Sequence, residues 1–464
     1  MNIEKRNISI EIMVTMLFGF VTVFSNVTLF NLKSIGVMLT VYRLFIPILF
    51  IYFFLHYGIQ KHYLIQIRKM SVTRFYFITI IIWLVWGGFS LIFMQWSDTI
   101  VGIKELVGLV LGTMSVFIVI CLCLSDQFNA LVSILKLCII ILITIGYIEI
   151  LSGWHFQSSV VNDPQYIQEI QSYYVGRKIP ESVYYIATGI FYNPNDYCAM
   201  LCIFTPLFLY DKESKAKKIV AYVSIASVFM ILLIDDAWIC IISLAMGLMV
   251  YLIFSKAHVI SYAILFILYL IPRFFGRQII DLICKGIYKC TGSSIFDHSI
   301  YILNVENAFS TQVENATNGN GSMFYRLNTY MEGLKATFFQ TKGLGLGPGG
   351  FQQYFAERAE SYHMIANPHS LWLEILSQYG VIVFALFISA LILMFVKIVK
   401  LYLSMYDLKS VLILSIGVIF IFACFAPSNF LQNTYYWIPI GMGLGILCQN
   451  NGMVSNKAQK HIRI

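Results

Sequence analysis

Apolar runs of roughly 20 residues recur along most of this chain, and inside a lipid layer a single segment of that kind can satisfy its own backbone only as a helix. Of 464 residues, 59% are hydrophobic and 12% charged, too little charge to clothe a water-exposed fold of this size. The chain therefore reads as an all-α polytopic membrane protein with about 12 transmembrane helices. Spans are expected near 11–31, 36–57, 75–95, 101–124, 129–151, 186–210, 218–235, 237–255, 258–275, 370–396, 409–427 and 432–449. They form a single integral membrane domain over 1–464.

Cations fix the expected orientation. With both termini in the cytoplasm, the inner segments hold Lys5, Arg6, Lys61, Arg68, Lys69, Arg74, Lys212, Lys215, Lys217, Lys218, Lys256, Lys397, Lys400, Lys409, Lys457, Lys460 and Arg463. Lys33 is the one basic residue of the short outer turns. The net charge of +8 is thus a topology signal and a meeting with anionic membrane lipids, because it is dispersed among loops. No nucleic-acid partner is expected. No cleavable signal peptide is expected either, since the first apolar stretch is long enough to span. Most of the ten cysteines fall inside spans and none forms a CxxC pair, so no metal site is expected. Cys284 and Cys290 share an outer loop and are the candidates for a disulfide.

Two outer loops exceed simple connections: 152–185 and 276–367, the latter between the ninth and tenth spans. The larger carries an amphipathic pattern near 322–339, where Met323, Leu327, Tyr330, Leu334 and Phe338 line one face while Asn328, Glu332 and Lys335 point away. Such a helix lies on the bilayer surface or caps the bundle, with Arg326 flanking the stripe at head-group level. NGNG (318–321) precedes it as a hinge. GLGLGPGGF (343–351) follows it; without GK[ST] it is no P-loop, and it serves to fold the loop back or to bring backbone N–H groups to an anion. GIFYNPNDY (189–197) predicts a re-entry or a broken first turn in the sixth span.

Ionisable groups within spans are costly and mark functional candidates: Arg43, Lys104 and Glu105, Lys136, Asp235 and Asp236. His369 stands apart. NPHSLWLEILSQYG (367–380) opens the tenth span, where Asn367 suits an N-cap and Pro368 the first helical position, placing His369 in the first turn. The helix dipole disfavours imidazolium there, so the ring is a proton acceptor at a membrane surface, beside N–H groups able to meet an anion. The plain alternatives are an interfacial histidine, a snorkelling Arg326 and a paired Arg43.

These residues resemble the O-antigen ligase and polymerase superfamily of polysaccharide assembly. Its clearest mark is His, then Asn, Ser or Gln, nine residues and Gly, which here reads His369, Ser370, LWLEILSQY, Gly380. MFYRLNTYMEGLKATFFQTKGLGLGPGGF (323–351) is similar to the family's loop-helix Arg followed by a Gly-x-Gly turn ending in Phe, and GIFYNPND to its span entry. The likeness covers approximately 185–450. Val383 departs from the usual Gly, Thr or Tyr, and Trp238 stands where members carry an arginine at the start of the eighth span.

The resemblance implies a metal-independent, inverting, GT-C-like membrane glycosyltransferase that needs no cofactor and uses an undecaprenyl-pyrophosphate donor at the outer face of the cell membrane. It assigns His369 as catalytic base and Arg326 to the pyrophosphate. With Trp238 in place of the usual cation, Arg43, Arg177, Lys178 or Arg277 share that task. Polymerisation of lipid-linked oligosaccharide repeat units into capsule or O-antigen is the favoured activity, with a flippase and a chain-length regulator as partners. The alternatives are a ligase moving the glycan to a lipid or wall acceptor and, from another class, a lipid-linked oligosaccharide flippase.

Overall fold

The structure is a computed structural model and describes residues 3–32, 37–164, 167–168, 184–210, 214–256, 261–264, 266–267, 269–270, 278, 282, 285, 322–356, 368–427, 431 and 433–461. The chain is a helical, multi-pass membrane protein. Among the described residues, six helical stretches are long and apolar enough to cross a bilayer: Val41–Gln60, Ser71–Phe93, Thr99–Leu124, Phe128–Ser152, Lys215–Ile234 and Leu371–Met405. Ile10–Val23, Trp238–Phe254 and Leu408–Ala423 are shorter apolar helices. The expected ninth span, Cys284, Cys290, the NGNG hinge and most of the 276–367 loop fall wholly or largely outside the described residues.

Two compact units divide the chain. The first comprises Met1–Leu135, Tyr325–Gly417 and Asn429–Ile464, the second Lys136–Phe324 and Val418–Ser428.

In the first unit, α1 (Ile3–Val23) ends earlier than the expected 11–31 span, because the chain turns at Phe24–Asn26. An antiparallel pair follows, β1 (Thr28–Leu32) with β2 (Val37–Thr40), Leu32 facing Val37 and Thr28 facing Thr40. Hydropathy does not separate this small pair from a span, since both consist of apolar and β-branched residues. Next, α2 (Val41–Phe53) is N-capped by Thr40 and runs on as a π-helix through Gln60. Its Tyr42 hydroxyl is 2.7 Å from Ser115 Oγ and donates to the Leu111 carbonyl at 3.1 Å, which ties it to α5 (Thr99–Leu124). Between them come α3 (Tyr63–Lys69) and α4 (Ser71–Phe93). Asp98 caps α5 by accepting from Ile100 and Val101 at 2.8 Å.

The second unit takes up α6 (Phe128–Ser152) from Lys136 onward. The sixth span expected at 186–210 is instead a short helix, α7 (Pro194–Phe204), with a 3-10 continuation to Leu209. Asn193 caps it with Pro194 at the first position, and residues 187–191 before it are buried but not helical. Carboxylates hold that irregular backbone. Glu149 accepts from Thr188 N at 2.8 Å and Gly189 N at 2.6 Å, and Asp235 accepts from Ala187 N at 2.8 Å. Glu149 also lies 3.3 Å from the buried His155. Non-helical backbone at membrane depth requires such partners. Lys136 donates to the Tyr210 carbonyl at 2.7 Å, and α8 (Lys215–Ile234) and α9 (Trp238–Phe254) pack around this segment.

The chain returns to the first unit with α10 (Ser322–Lys335), a π-helical extension to Gln340, α11 (Gly350–Ala356) and α12 (Leu371–Met405). At 35 residues α12 outruns the expected 370–396, so Lys397 and Lys400 lie on its last turns. It is broken at Gly380, whose φ of 82° and ψ of 177° are not helical. The chain closes with α13 (Leu408–Ala423) and α14 (Trp437–His461), the latter packed along α5.

Candidate active site

The amphipathic helix forms, and its small residues face inward. Thr329, Gly333, Ala336 and Thr337 are buried, while Leu327, Met331, Leu334, Phe338 and Phe339 are exposed. Tyr330 does not join the outward stripe; it packs on a core of Ala336, Leu346, Phe351, Tyr354, Phe355 and Leu373. Small residues on the inner face allow close approach. Gly333 sits directly over Leu373, a Cβ there meeting Leu373 Cδ1 at 2.9 Å.

That contact sets α10 against the beginning of α12, where His369 lies. The residue is not in the first turn. Ser370 is the N-cap, with extended backbone and its hydroxyl accepting from Leu373 N at 3.3 Å. Asn367, the expected cap, lies outside the described residues. His369 comes just before the cap with a left-handed φ of 45° and is 9% exposed. A non-glycine residue in that region carries roughly 1–3 kcal/mol of strain. Its neighbours hold it there: Tyr330 donates its hydroxyl to the His369 carbonyl at 3.1 Å.

Arg326 is one turn before Tyr330 and half-buried. Burial raises the Tyr330 phenol above its ordinary value, and the Arg326 guanidinium pulls it back down. Arg326 and His369 thus flank one tyrosine. Glu374, 1% exposed, adds a carboxylate one turn into α12.

Below this corner the glycine run and the helix break lock together. The break at Gly380 frees helix carbonyls, and Leu346 N donates to Ser377 O at 2.7 Å and Gly347 N to Gln378 O at 2.9 Å. Val381 N donates back to Gly343 O at 2.9 Å. No side chain fits between: a Cβ on Gly380 meets Gly343 O at 2.4 Å, and one on Gly345 meets Gln378 O at 2.4 Å. The other N–H groups of the run are also committed, Gly343 to Thr337 O, Leu344 to Thr341 O, Gly345 to Thr341 Oγ1, Gly349 to Glu105 and Gly350 to Gly347 O. The run therefore folds the loop back onto α12, and the N–H groups of 343–347, 349 and 350 are spent within the protein.

Glu105 anchors the lock. It is 1% exposed and accepts from Gly349 N at 3.1 Å, Tyr379 hydroxyl at 3.2 Å and Gln378 Nε2 at 3.4 Å. Sequence reasoning marked it as an ionisable group in a span and missed this role.

Of the other expected site residues, Arg43 is in the first turn of α2, its N–H capped by Thr40. Arg177, Lys178 and Arg277 lie outside the described residues. Trp238 opens α9 in the second unit and gives its indole N–H to Asp236. The sequence matches no protein-family model and no curated protein.

Proposed function

We propose that this chain is a membrane glycosyltransferase that polymerises undecaprenyl-pyrophosphate-linked oligosaccharide repeat units at the outer face of the cell membrane. One observation carries the reading beside the motif resemblance: the Tyr330 hydrogen bond that sets the Arg326 helix against the strained, nearly buried His369. His369 accepts the proton of the acceptor sugar hydroxyl as that oxygen attacks the anomeric carbon of the donor. The bond from that carbon to the lipid pyrophosphate breaks, and Arg326 stabilises the charge growing on the departing phosphate. A single displacement inverts the anomeric centre, so a product with the donor's configuration overturns this mechanism. Arg43, Arg177 and Lys178 are further cations for the pyrophosphate. A flippase supplies the repeats and a chain-length regulator limits the polymer.

The test is the polysaccharide ladder from cells that lack the native gene and express either this chain or His369→Ala at matched levels. Long polymer with the first and single lipid-linked repeats with the second is the expected result. Equal ladders reduce His369 to an interfacial residue.

A further inference from the structure

On α4, which packs against α12, and at the break in α12 itself, four buried polar groups have no hydrogen-bond partner among the described residues: the hydroxyls of Tyr76 and Thr79, the indole N–H of Trp83 and the side-chain carbonyl of Gln378. Their residues are 0–2% exposed. Spacings of three and four place Tyr76, Thr79 and Trp83 on one stripe of α4, over about 10 Å of rise. At its upper end the Trp83 ring meets the Tyr379 ring edge-on, centroids 5.3 Å apart, and Tyr379 donates its hydroxyl to Glu105. Gln378 must present its NH₂ to that same carboxylate, which leaves its carbonyl turned elsewhere.

One orphaned polar atom in a helix bundle is ordinary; a stripe of them leading to a buried carboxylate is a pattern. Such groups lose water on folding and regain nothing from the protein. Polar heads about one helical turn apart suit water molecules, each needing two to four polar partners. We propose that this stripe is an internal hydration site, in which a short file of waters runs along α4 from Tyr76 to Trp83 and ends at Gln378. The file brings buried water to the residues that hold Glu105, separate from the His369 corner. It does not depend on the glycosyltransferase reading.

Millisecond X-ray radiolysis of the purified full chain, followed by mass spectrometry, tests it, because hydroxyl radicals form on bound water and mark the side chains beside it. Tyr42 and Tyr197 are the controls, equally buried but with hydroxyls bonded to protein. Tyr76 and Trp83 are expected to oxidise at least fivefold faster than these, and Thr79→Val to lower both rates severalfold. Oxidation of Tyr76 and Trp83 at the control rate overturns the proposal outright, and unchanged rates in Thr79→Val overturn a continuous file. The wild-type comparison decides even if the variant does not fold.

Discussion

Tyr330 and His369 meet through one hydrogen bond, from the phenol hydroxyl of the first to the backbone carbonyl of the second, 39 positions apart in sequence. The bond holds main chain that is already in a disfavoured conformation. Tyr330→Phe keeps the ring in the Phe351–Leu373 core and removes only the hydroxyl, so the expected stability loss is about 1 kcal/mol. Polymer yield should fall further than that loss explains, because His369 is freed to relax. Thermal melting and the ladder, read on the same variant, separate the two effects.

The same tyrosine reports on Arg326. Burial raises its ionisation above the ordinary value near 10, and the guanidinium opposes that rise. Arg326→Gln should move the phenol still higher, visible as a delayed absorbance change in alkaline titration once the Tyr330→Phe background is subtracted. The sign for stability follows. The unfolded chain sheds this proton first, so the contribution is whole below about pH 10 and is lost as pH climbs through the folded value. An unshifted titration in Arg326→Gln means the guanidinium does not face Tyr330.

Gly380 and Gly88 make a matched pair of alanine tests. A Cβ on Gly380 collides with the Gly343 and Leu344 carbonyl oxygens at 2.4 and 2.5 Å, at a φ that itself costs an L-residue roughly 1–2 kcal/mol. Gly88, inside α4, has nothing within 4 Å of the added atom. Melting should show Gly380→Ala losing about 3 kcal/mol or more and Gly88→Ala gaining up to about 1 kcal/mol. Similar melting for the two would dissolve the proposed lock.

Glu105→Gln preserves size but presents one acceptor oxygen where three donors converge. At least one donor is left unpaired in the interior, a loss of roughly 1–3 kcal/mol. Limited proteolysis should then cut within 343–350 sooner than in the native protein. Resistance equal to wild type would mean that the glycine run does not rely on the carboxylate.

Ser370→Ala removes the cap of α12 and should cost about 1 kcal/mol, whereas Ser370→Asn should cost little. The motif's tolerance for Asn at this position then has a physical basis in capping rather than in chemistry on substrate. Melting of the two variants side by side decides this.

Much of the bundle was legible because apolar runs bounded by polar residues locate helices well. The expected 75–95, 101–124, 129–151, 218–235 and 237–255 correspond to α4, α5, α6, α8 and α9 within a few residues. The failures share a cause, which is that the deciding partner is distant. GIFYNPNDY announced the broken start of the sixth span, where Asn193 caps α7 at Pro194, but nothing local says that Glu149 and Asp235 will take the N–H groups of Ala187, Thr188 and Gly189 before it. Glu105 was visible as a charge in a span, yet its donors are 244 to 274 positions away. At the start of α12 the sequence reading took Asn367 as the cap and so placed His369 in the first turn, whereas Ser370, three residues on and equally able to cap, is the residue that does so. Tyr330 leaves the apolar stripe it was grouped with, because periodicity sorts by hydrophobicity, whereas this packing sorts by size, burying Gly333 and Ala336.

The glycine run carries a kinetic consequence. The N–H groups of 343–347, 349 and 350 are all donated within the first unit, and because Leu346 and Gly347 give theirs to the Ser377 and Gln378 carbonyls, those two protons can trade with deuterium only when the upper turns of α12 let go. Both should therefore exchange late, which places one of the loop's slowest clocks in its most glycine-rich segment.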